Sequence, residues 1–343
     1  MKNIIQRKKR DLFSYSLLNF LFKNKIFLFL LRMTITFLFF YAIILGFIYP
    51  TKEENLFTTA LFWSLFWSFF MVLSLSTIGR VFCGICPHGF IGKYITKLGL
   101  KKKMPKKFAN PFIGLGVIVI GYWLMNFLFP AIYSVPYNTA IFFTILTLLS
   151  FVIYFLYDDM AYCKYICPLG TVTKAFSKVS FTKLETYNEG CATCKTFDCA
   201  SACSYNLKPF TFAKKNSMED CTLCMDCAVS CENVAFNITK PSSTLFNKFK
   251  TQKVEVWTIL ILTAILSFAM TFKHSLNRTA IADEFIWNKI SKFLEFYITT
   301  DFISIDGLSV FLFSIVLIVV LNIIAMFIAS KILKVSFETT FYT

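Results

Sequence analysis

The chain has 343 residues, 57% of them apolar and only 16% charged, and Phe alone contributes 43. An ordinary soluble domain is about 25% charged, so a simple soluble enzyme is excluded, and so is a disordered chain. The net charge of +16 would point to nucleic acid in a soluble protein. In a membrane chain basic residues collect on the cytoplasmic side instead, and no nucleic-acid partner is expected.

Six apolar segments are long enough to cross about 30 Å of hydrocarbon. In chain order they are 26–49, 57–78, 111–133, 139–157, 256–272 and 308–330. A shorter apolar run, 12–22, lies between Arg10 and Lys23 and suits the membrane interface. Arg32, near the start of the first span, has a stem long enough to snorkel to the headgroups. The fifth span is short and needs its flanks to complete it. The basic N-terminus is not followed by a small-residue cleavage site, so no cleavable signal peptide is expected.

Charge sets the expected sidedness. Residues 1–25 carry seven basic side chains and one acid, and residues 80–110 carry eight and none. The connections at 50–56 and 134–138 hold one basic residue between them. The positive-inside rule then puts both termini, residues 80–110 and residues 158–255 in the cytoplasm. Residues 273–307 become the sizeable outer loop.

An internal repeat runs through the first half. Ile85-Cys86-Pro87-His88-Gly89 returns 81 residues later as Ile166-Cys167-Pro168-Leu169-Gly170, with Lys93 and Lys97 returning as Lys174 and Lys178. The same shift carries span 1 onto span 3 and span 2 onto span 4. Two helical hairpins of one orientation suggest a pseudo-two-fold axis along the membrane normal, with Cys86 and Cys167 as mates.

All 12 cysteines lie between Cys83 and Cys231. Cys221-x2-Cys224-x2-Cys227-x3-Cys231 has the spacing of a bacterial ferredoxin loop, in which three thiolates hold one [4Fe–4S] cluster and the fourth holds its neighbour. Cys191-x2-Cys194-x4-Cys199-x3-Cys203 is a second such group with a two-residue insertion. By the crossing usual in that pattern, Cys191, Cys194, Cys199 and Cys231 hold one cluster, and Cys203, Cys221, Cys224 and Cys227 the other. Disulfides suit a reducing cytoplasm poorly. Zinc accounts for C-x2-C pairs but not for the third and fourth spacings. The remaining four, Cys83, Cys86, Cys163 and Cys167, sit where spans meet the cytoplasm, and the repeat brings the pairs together. They are candidates for a third metal or redox site, iron–sulfur or copper, with plain structural thiols as the alternative.

The chain has two histidines, His88 on the inner side and His274 on the outer. A bis-histidine haem is therefore not expected, nor is haem c, because Pro87 separates Cys86 from His88. His88 beside Cys86 is a ligand, a proton donor or a structural residue. Gly114, Gly116 and Gly121 read as helix packing, and no flavin or nicotinamide site is expected.

The segments G-R-V-F-C-G-I-C-P-H-G and Y-C-K-Y-I-C-P-L-G, followed by a two-cluster ferredoxin segment, resemble the membrane polyferredoxins, the group of NapH, NosR and CcoG proteins. The resemblance covers roughly residues 26–240; the first pair here is C-x2-C-P where the group has C-x3-C-P. The expected fold is an α-helical membrane protein with six transmembrane helices and a small cytoplasmic ferredoxin-like segment. Its expected parts are a basic N-terminus (1–25), two repeated hairpins (26–179), the two-cluster segment (180–250) and a C-terminal helix pair with its outer loop (251–343). The resemblance implies a multi-pass protein of the bacterial inner membrane. It would pass electrons among the quinone pool, its clusters and a respiratory partner, as a quinol dehydrogenase subunit does. The alternatives are a CcoG-like copper reductase that assists oxidase assembly, and a non-redox zinc scaffold.

Overall fold

The structure, a computed structural model, describes residues 10–177, 180–212, 218–239, 251–297 and 302–342. Lys178 of the repeat and the expected boundaries at 179 and 250 lie outside the described residues. Five helices are long and apolar enough to cross a membrane: Lys25–Ile48, Phe57–Leu75, Pro136–Leu156, Lys253–Arg278 and Ile305–Leu333. This is a helical membrane protein. At 111–133, where a full crossing was expected, the apolar helix runs only Phe112–Leu128. Pro130 supplies the reason. A residue before proline is pushed out of the helical region, and Phe129 leaves the helix at φ −119°, ψ 88°. The expected short span 256–272 is completed by its flanks, starting from a capping box between Gln252 and Glu255.

The chain forms two compact units: Met1–Asn110 with Ser134–Lys250, and Pro111–Tyr133 with Thr251–Thr343. In the first, Asn24 divides the amphipathic Ser16–Lys23 helix from the Lys25–Ile48 helix. Its side chain accepts from the Phe27 N–H at 3.0 Å and caps the second helix. Aromatic residues then fill the space between the apolar helices. Phe39, Phe62, Trp63, Trp67 and Phe82 form one buried cluster, and Trp63 stacks on Phe143 at 3.5 Å. Lipid is as apolar as this core, so it is held by packing contact rather than by escape from water.

Two short strands, β1 (Thr182–Thr186) and β2 (Val234–Ile238), pair antiparallel with Leu184 opposite Phe236. They flank the ferredoxin-like loops and close them at their base. Asp11 ties the N-terminal run to this hairpin. Its carboxylate accepts from the Phe13 and Phe236 N–H groups at 3.0 and 3.1 Å and from the Tyr187 hydroxyl at 2.8 Å. Phe13 and Phe22 pack on Phe236, while Tyr15, Leu17 and Phe20 stay exposed. The 12–22 run therefore has one face on the ferredoxin-like segment and an apolar face left outward.

The second unit is built around Phe127, Ile265, Ala269, Trp287, Val310 and Phe311. Its polar anchor is Asn277. The side-chain carbonyl accepts from Trp287 Nε1 at 2.7 Å and from Asn288 at 3.1 Å, and its amide donates to Asp306 at 3.2 Å. The stretch expected as an outer loop contains the helix Ile286–Tyr297, which buries Trp287 and Ser291 and exposes Phe293 and Phe296.

Candidate metal centres

All twelve cysteines are unpaired by disulfide and belong to the first unit. Each C-P motif has the same local build. A short helix, Val81–Ile85 or Tyr162–Ile166, stops at a cysteine in extended conformation, Cys86 or Cys167. The proline then opens the next helix at its first turn, where a missing N–H costs nothing. The cysteine is thus the N-cap. Cys167 Sγ accepts from the Gly170 N–H at 3.3 Å. A helix N-terminus favours an anionic sulfur.

The glycine of each motif is needed for close approach rather than for a left-handed φ. A Cβ on Gly170 would lie 2.5 Å from the carbonyl oxygen of Cys163, and one on Gly89 would lie 3.2 Å from that of Cys83. The fold brings these four cysteines together: Cys167 feels the charges of Cys163, Cys86 and Cys83. Burial first, and then the charges of neighbouring cysteines, Cys163 foremost, push the Cys86 and Cys167 thiols well up. The Tyr154 hydroxyl lies 2.9 Å from Cys163 Sγ.

The ferredoxin-like loops gather their cysteines into two further groups. Cys199 lies in electrostatic range of Cys231, Cys191 and Cys194, and burial with these neighbours pushes it up to about 11. Cys227 is pushed well up by burial and then by Cys224, Cys221, Cys203 and Cys199. Cys221 and Cys224 are each pushed up to about 12, with burial the leading cause. Each third cysteine follows an aspartate and, before that, a residue in the left-handed region: Phe197 (φ 51°) before Cys199, and Met225 (φ 61°) before Cys227. Leu223 (φ 53°) makes the other bend around Cys224. Alternating turns of this kind aim successive N–H groups at an anion.

Three features test whether a cluster fits these residues. Cys203, Cys221, Cys224 and Cys227 line one pocket together with Tyr205 and Thr222. The Thr222 hydroxyl and the Arg80 Nε are buried with no hydrogen-bond partner, a state that an anionic group beside them would relieve. Buried thiols that drive each other's pKa upward need a strong cation among them to become thiolates together. Among the described residues no three His, Cys, Asp or Glu side chains converge on one point.

The second ferredoxin-like group is docked directly on the C-P motifs. Lys93 and Lys174, mates in the repeat, hold Asp226 at 3.3 Å and Asp220 at 3.0 Å, one at each side of the Cys221–Cys227 loop. Gly84 lies so close that a Cβ there would sit 2.8 Å from the Thr222 and Leu223 carbonyl oxygens. Arg80 Nη1 donates to the Glu219 carbonyl at 3.0 Å, and Lys164 donates to the Tyr205 carbonyl at 3.0 Å. Burial raises the pKa of Asp220, but Lys174, Arg80 and Lys164 outweigh it and hold the carboxyl below its usual range.

Arg32 does not reach for headgroups. It is 5% exposed and donates to the Gly84 carbonyl at 3.1 Å, to Asp226 at 3.0 Å and to the Cys224 carbonyl. His88 also faces the protein. Its Nε2 is 2.9 Å from Thr147 Oγ1, and Phe39 and Tyr162 meet it edge-on. Thr147 already donates to Phe143 O at 2.7 Å, so Nε2 carries the proton. Burial lowers His88 to about 4 and keeps it neutral. It serves packing and lies outside the cysteine groups.

A family model described as a 4Fe-4S binding domain matches residues 59–106 and again residues 139–185. The two matches fall on the two copies of the repeat and contain Cys83 with Cys86 and Cys163 with Cys167. An uncharacterized protein of Methanocaldococcus jannaschii is 32% identical over 187 residues, 49% of this chain and 75% of its own. "Putative electron transport protein YccM" of Escherichia coli is 26% identical over 228 residues, 59% of this chain and 62% of its own. The chain belongs to the membrane polyferredoxin group. A second Methanocaldococcus jannaschii relative is 29% identical over 169 residues, with 47% of this chain and 65% of its own covered. No solved structure matches. As a membrane polyferredoxin the protein is an iron–sulfur electron-transfer protein.

Sequence reasoning missed Tyr205, Arg80 and the two docking aspartates. One signal was available: Asp198 and Asp226 occupy the same place before the third cysteine of their groups.

Proposed function

We propose that this polyferredoxin passes electrons among the membrane quinone pool, its [4Fe–4S] clusters and a respiratory partner. The observation that carries the reading is the contiguity of three cysteine quartets in one unit. Cys199 of the first is within electrostatic range of Cys227 of the second, and the second rests on the C-P motifs of the third. Cys191, Cys194, Cys199 and Cys231 would hold one cluster, and Cys203, Cys221, Cys224 and Cys227 another. Cys83, Cys86, Cys163 and Cys167 would hold a third iron–sulfur centre at the membrane face. Such clusters, when bound, supply reversible one-electron storage. The chain's part is to exclude water from the thiolates, to donate N–H groups to them and to surround them with Arg32, Arg80, Lys93 and Lys174.

In this reading the two hairpins (26–179), the two-cluster segment (180–250) and the C-terminal pair (251–343) are the working parts, with both termini and the clusters cytoplasmic in the inner membrane. Reporter fusions at Lys103 and Asn288 should fall on opposite sides. The deciding experiment uses anaerobically purified protein in liposomes. Addition of a quinol should reduce the clusters, seen as the appearance of their electron paramagnetic resonance signals. Absence of reduction by quinol, with reduction of Cu(II) instead, would replace this reading with metal delivery to an oxidase. Stoichiometric zinc without labile sulfide would replace it with a scaffold.

A further inference from the structure

Residues 101–107 include five lysines, Lys101, Lys102, Lys103, Lys106 and Lys107, and the cysteine sites use none of them. The segment belongs to the first unit and follows the helix Pro87–Leu98, which Cys86 caps. Backbone bonds fix its level. The Leu100 N–H donates to the Phe155 carbonyl at 2.7 Å, the Lys102 N–H to the Leu156 carbonyl at 3.0 Å, and the Asp158 N–H to the Lys102 carbonyl at 3.0 Å. Gly99 permits this approach, because a Cβ there would collide with the Phe155 carbonyl. Phe155 and Leu156 are the last residues of the span Pro136–Leu156. Its 21 residues measure about 32 Å, close to the roughly 30 Å of hydrocarbon, so the span ends where headgroups begin.

All five lysine side chains are exposed, and among the described residues none of them forms an ion pair. Lys93 and Lys174, nearer the sulfurs, each hold an aspartate instead. The stretch that the segment bonds to contributes two acids, Asp158 and Asp159, and Asp159 accepts from the Asn206 amide. Two acids against five lysines leave a clear positive excess. The backbone is held in a turn at its far end, where the Phe108 and Ala109 N–H groups both donate to the Pro105 carbonyl at 2.9 Å. Leu98, Leu100 and Phe108 stand exposed beside the lysines. Basic and apolar side chains mixed at the end of a span match the boundary between headgroups and acyl chains. An acidic soluble protein would match the charge but leave the apolar side chains without a counterpart.

We propose that residues 101–107 are a docking site for anionic phospholipid headgroups, with Leu98, Leu100 and Phe108 against the acyl chains. The inference is independent of any cluster. Each lysine ammonium offers three donors to phosphate oxygens, and its flexible stem lets it reach among several headgroups. A zwitterionic headgroup cancels its phosphate charge with its own ammonium, so the site selects lipids of net negative charge. The lysines are unpaired beforehand, so no internal ion pair is given up on binding. The site holds a collar of anionic lipid at the far end of the helix that Cys86 caps.

The test places full-length protein in phosphatidylcholine bilayers with a trace of spin-labelled phosphatidylglycerol or spin-labelled phosphatidylcholine. The motionally restricted fraction of each probe gives their relative association with the protein. One variant carries Lys101→Gln, Lys103→Gln, Lys106→Gln and Lys107→Gln together. Its preference for phosphatidylglycerol should fall at least about fivefold, with helical circular dichroism unchanged. The four corresponding Lys→Arg changes keep the charge and should keep the preference, which separates charge from damage to the fold. In the unaltered protein, raising salt from about 0.1 M to about 1 M shortens the screening length from about 10 Å to about 3 Å and should remove most of the preference. A preference that survived the salt, or one equal in wild type and the Gln variant, would overturn the lipid site. So would a Gln variant that keeps its lipid preference but loses binding of soluble polyglutamate, which would assign the patch to an acidic protein.

Discussion

The ferredoxin-like loops and the membrane-face motifs hold four cysteines each by opposite means. In the loops, three cysteines of a quartet come from one short stretch, and left-handed turns at Phe197, Leu223 and Met225 curl that stretch around its centre. At the membrane face two cysteines come from each of two segments about eighty residues apart. Cys86 and Cys167 stand at helix starts, and Cys83 and Cys163 in the short helices before them, all in the first unit. The first arrangement has little fold without its ligand. The second is built by packing before any ligand is considered. Loop quartets should therefore depend on metal for their structure, and the membrane-face quartet should depend on structure for its metal.

Iron removal gives the largest effect. The sheet at the base of the loops has two strands of five residues each, too little to stand alone. Anaerobic chelation should open residues 180–239, seen as at least a tenfold rise in protease cleavage there, while the helical circular dichroism persists. Unchanged protection of that segment would erase the contrast between the two sites.

Single cysteine changes at the membrane face come next. Cys86→Ser and Cys167→Ser should each take iron from about twelve to about eight per chain, since each cubane takes four cysteines and four irons. Each should abolish electron transfer and leave the two loop signals in place. The double variant should be no worse than either single, because ligands of one site act as a unit. Full activity in either variant would return these cysteines to a structural role.

Gly170→Ala sharpens the same point with a smaller change. In a free helix Ala is favoured over Gly by about 1 kcal/mol. Here the added carbon would sit 2.5 Å from the Cys163 carbonyl oxygen, a backbone clash that no side-chain motion relieves. Overpacking costs about 1–3 kcal/mol, so destabilisation wins. Iron at the membrane face should fall partially while the loop signals stay whole. Gly116→Ala meets nothing within 4 Å and serves as the control that should lose no iron.

What the sequence made legible follows the same division. The loop cysteines announce themselves as a motif, because their spacing lies within one short stretch. The repeat also announced itself, and with it the pairing of Cys86 with Cys167. Arg32 did not: an arginine at a span's end reads as a headgroup anchor, and only the fold puts Asp226 within 3.0 Å of it. Tyr154 was invisible for a similar reason: its hydroxyl lies 2.9 Å from Cys163 Sγ, and no local pattern marks that meeting. The truncated helix ending at Leu128 was legible in principle, through Pro130, but hydropathy alone passes over a proline.

Arg32→Lys is the mildest test and concerns the joint between the two kinds of site. Arginine's planar fork reaches three acceptors on two segments, the Gly84 carbonyl, Asp226 and the Cys224 carbonyl. Lysine keeps the charge but not the fork, so it can hold Asp226 while leaving at least one carbonyl short of a donor. Lys93, 3.3 Å from Asp226, prevents that carboxylate from being stranded. The expected loss is therefore about 1–3 kcal/mol, not the larger penalty of an orphaned buried charge. It should show as about 10- to 100-fold faster amide exchange at Thr222–Asp226, since 1.4 kcal/mol is tenfold. Exchange around Cys167 should not change, because that site is fixed by its own helices. If both regions loosened together and both lost iron, the loop and the membrane face would be one cooperative structure, and the separation between metal-built and packing-built sites would fail.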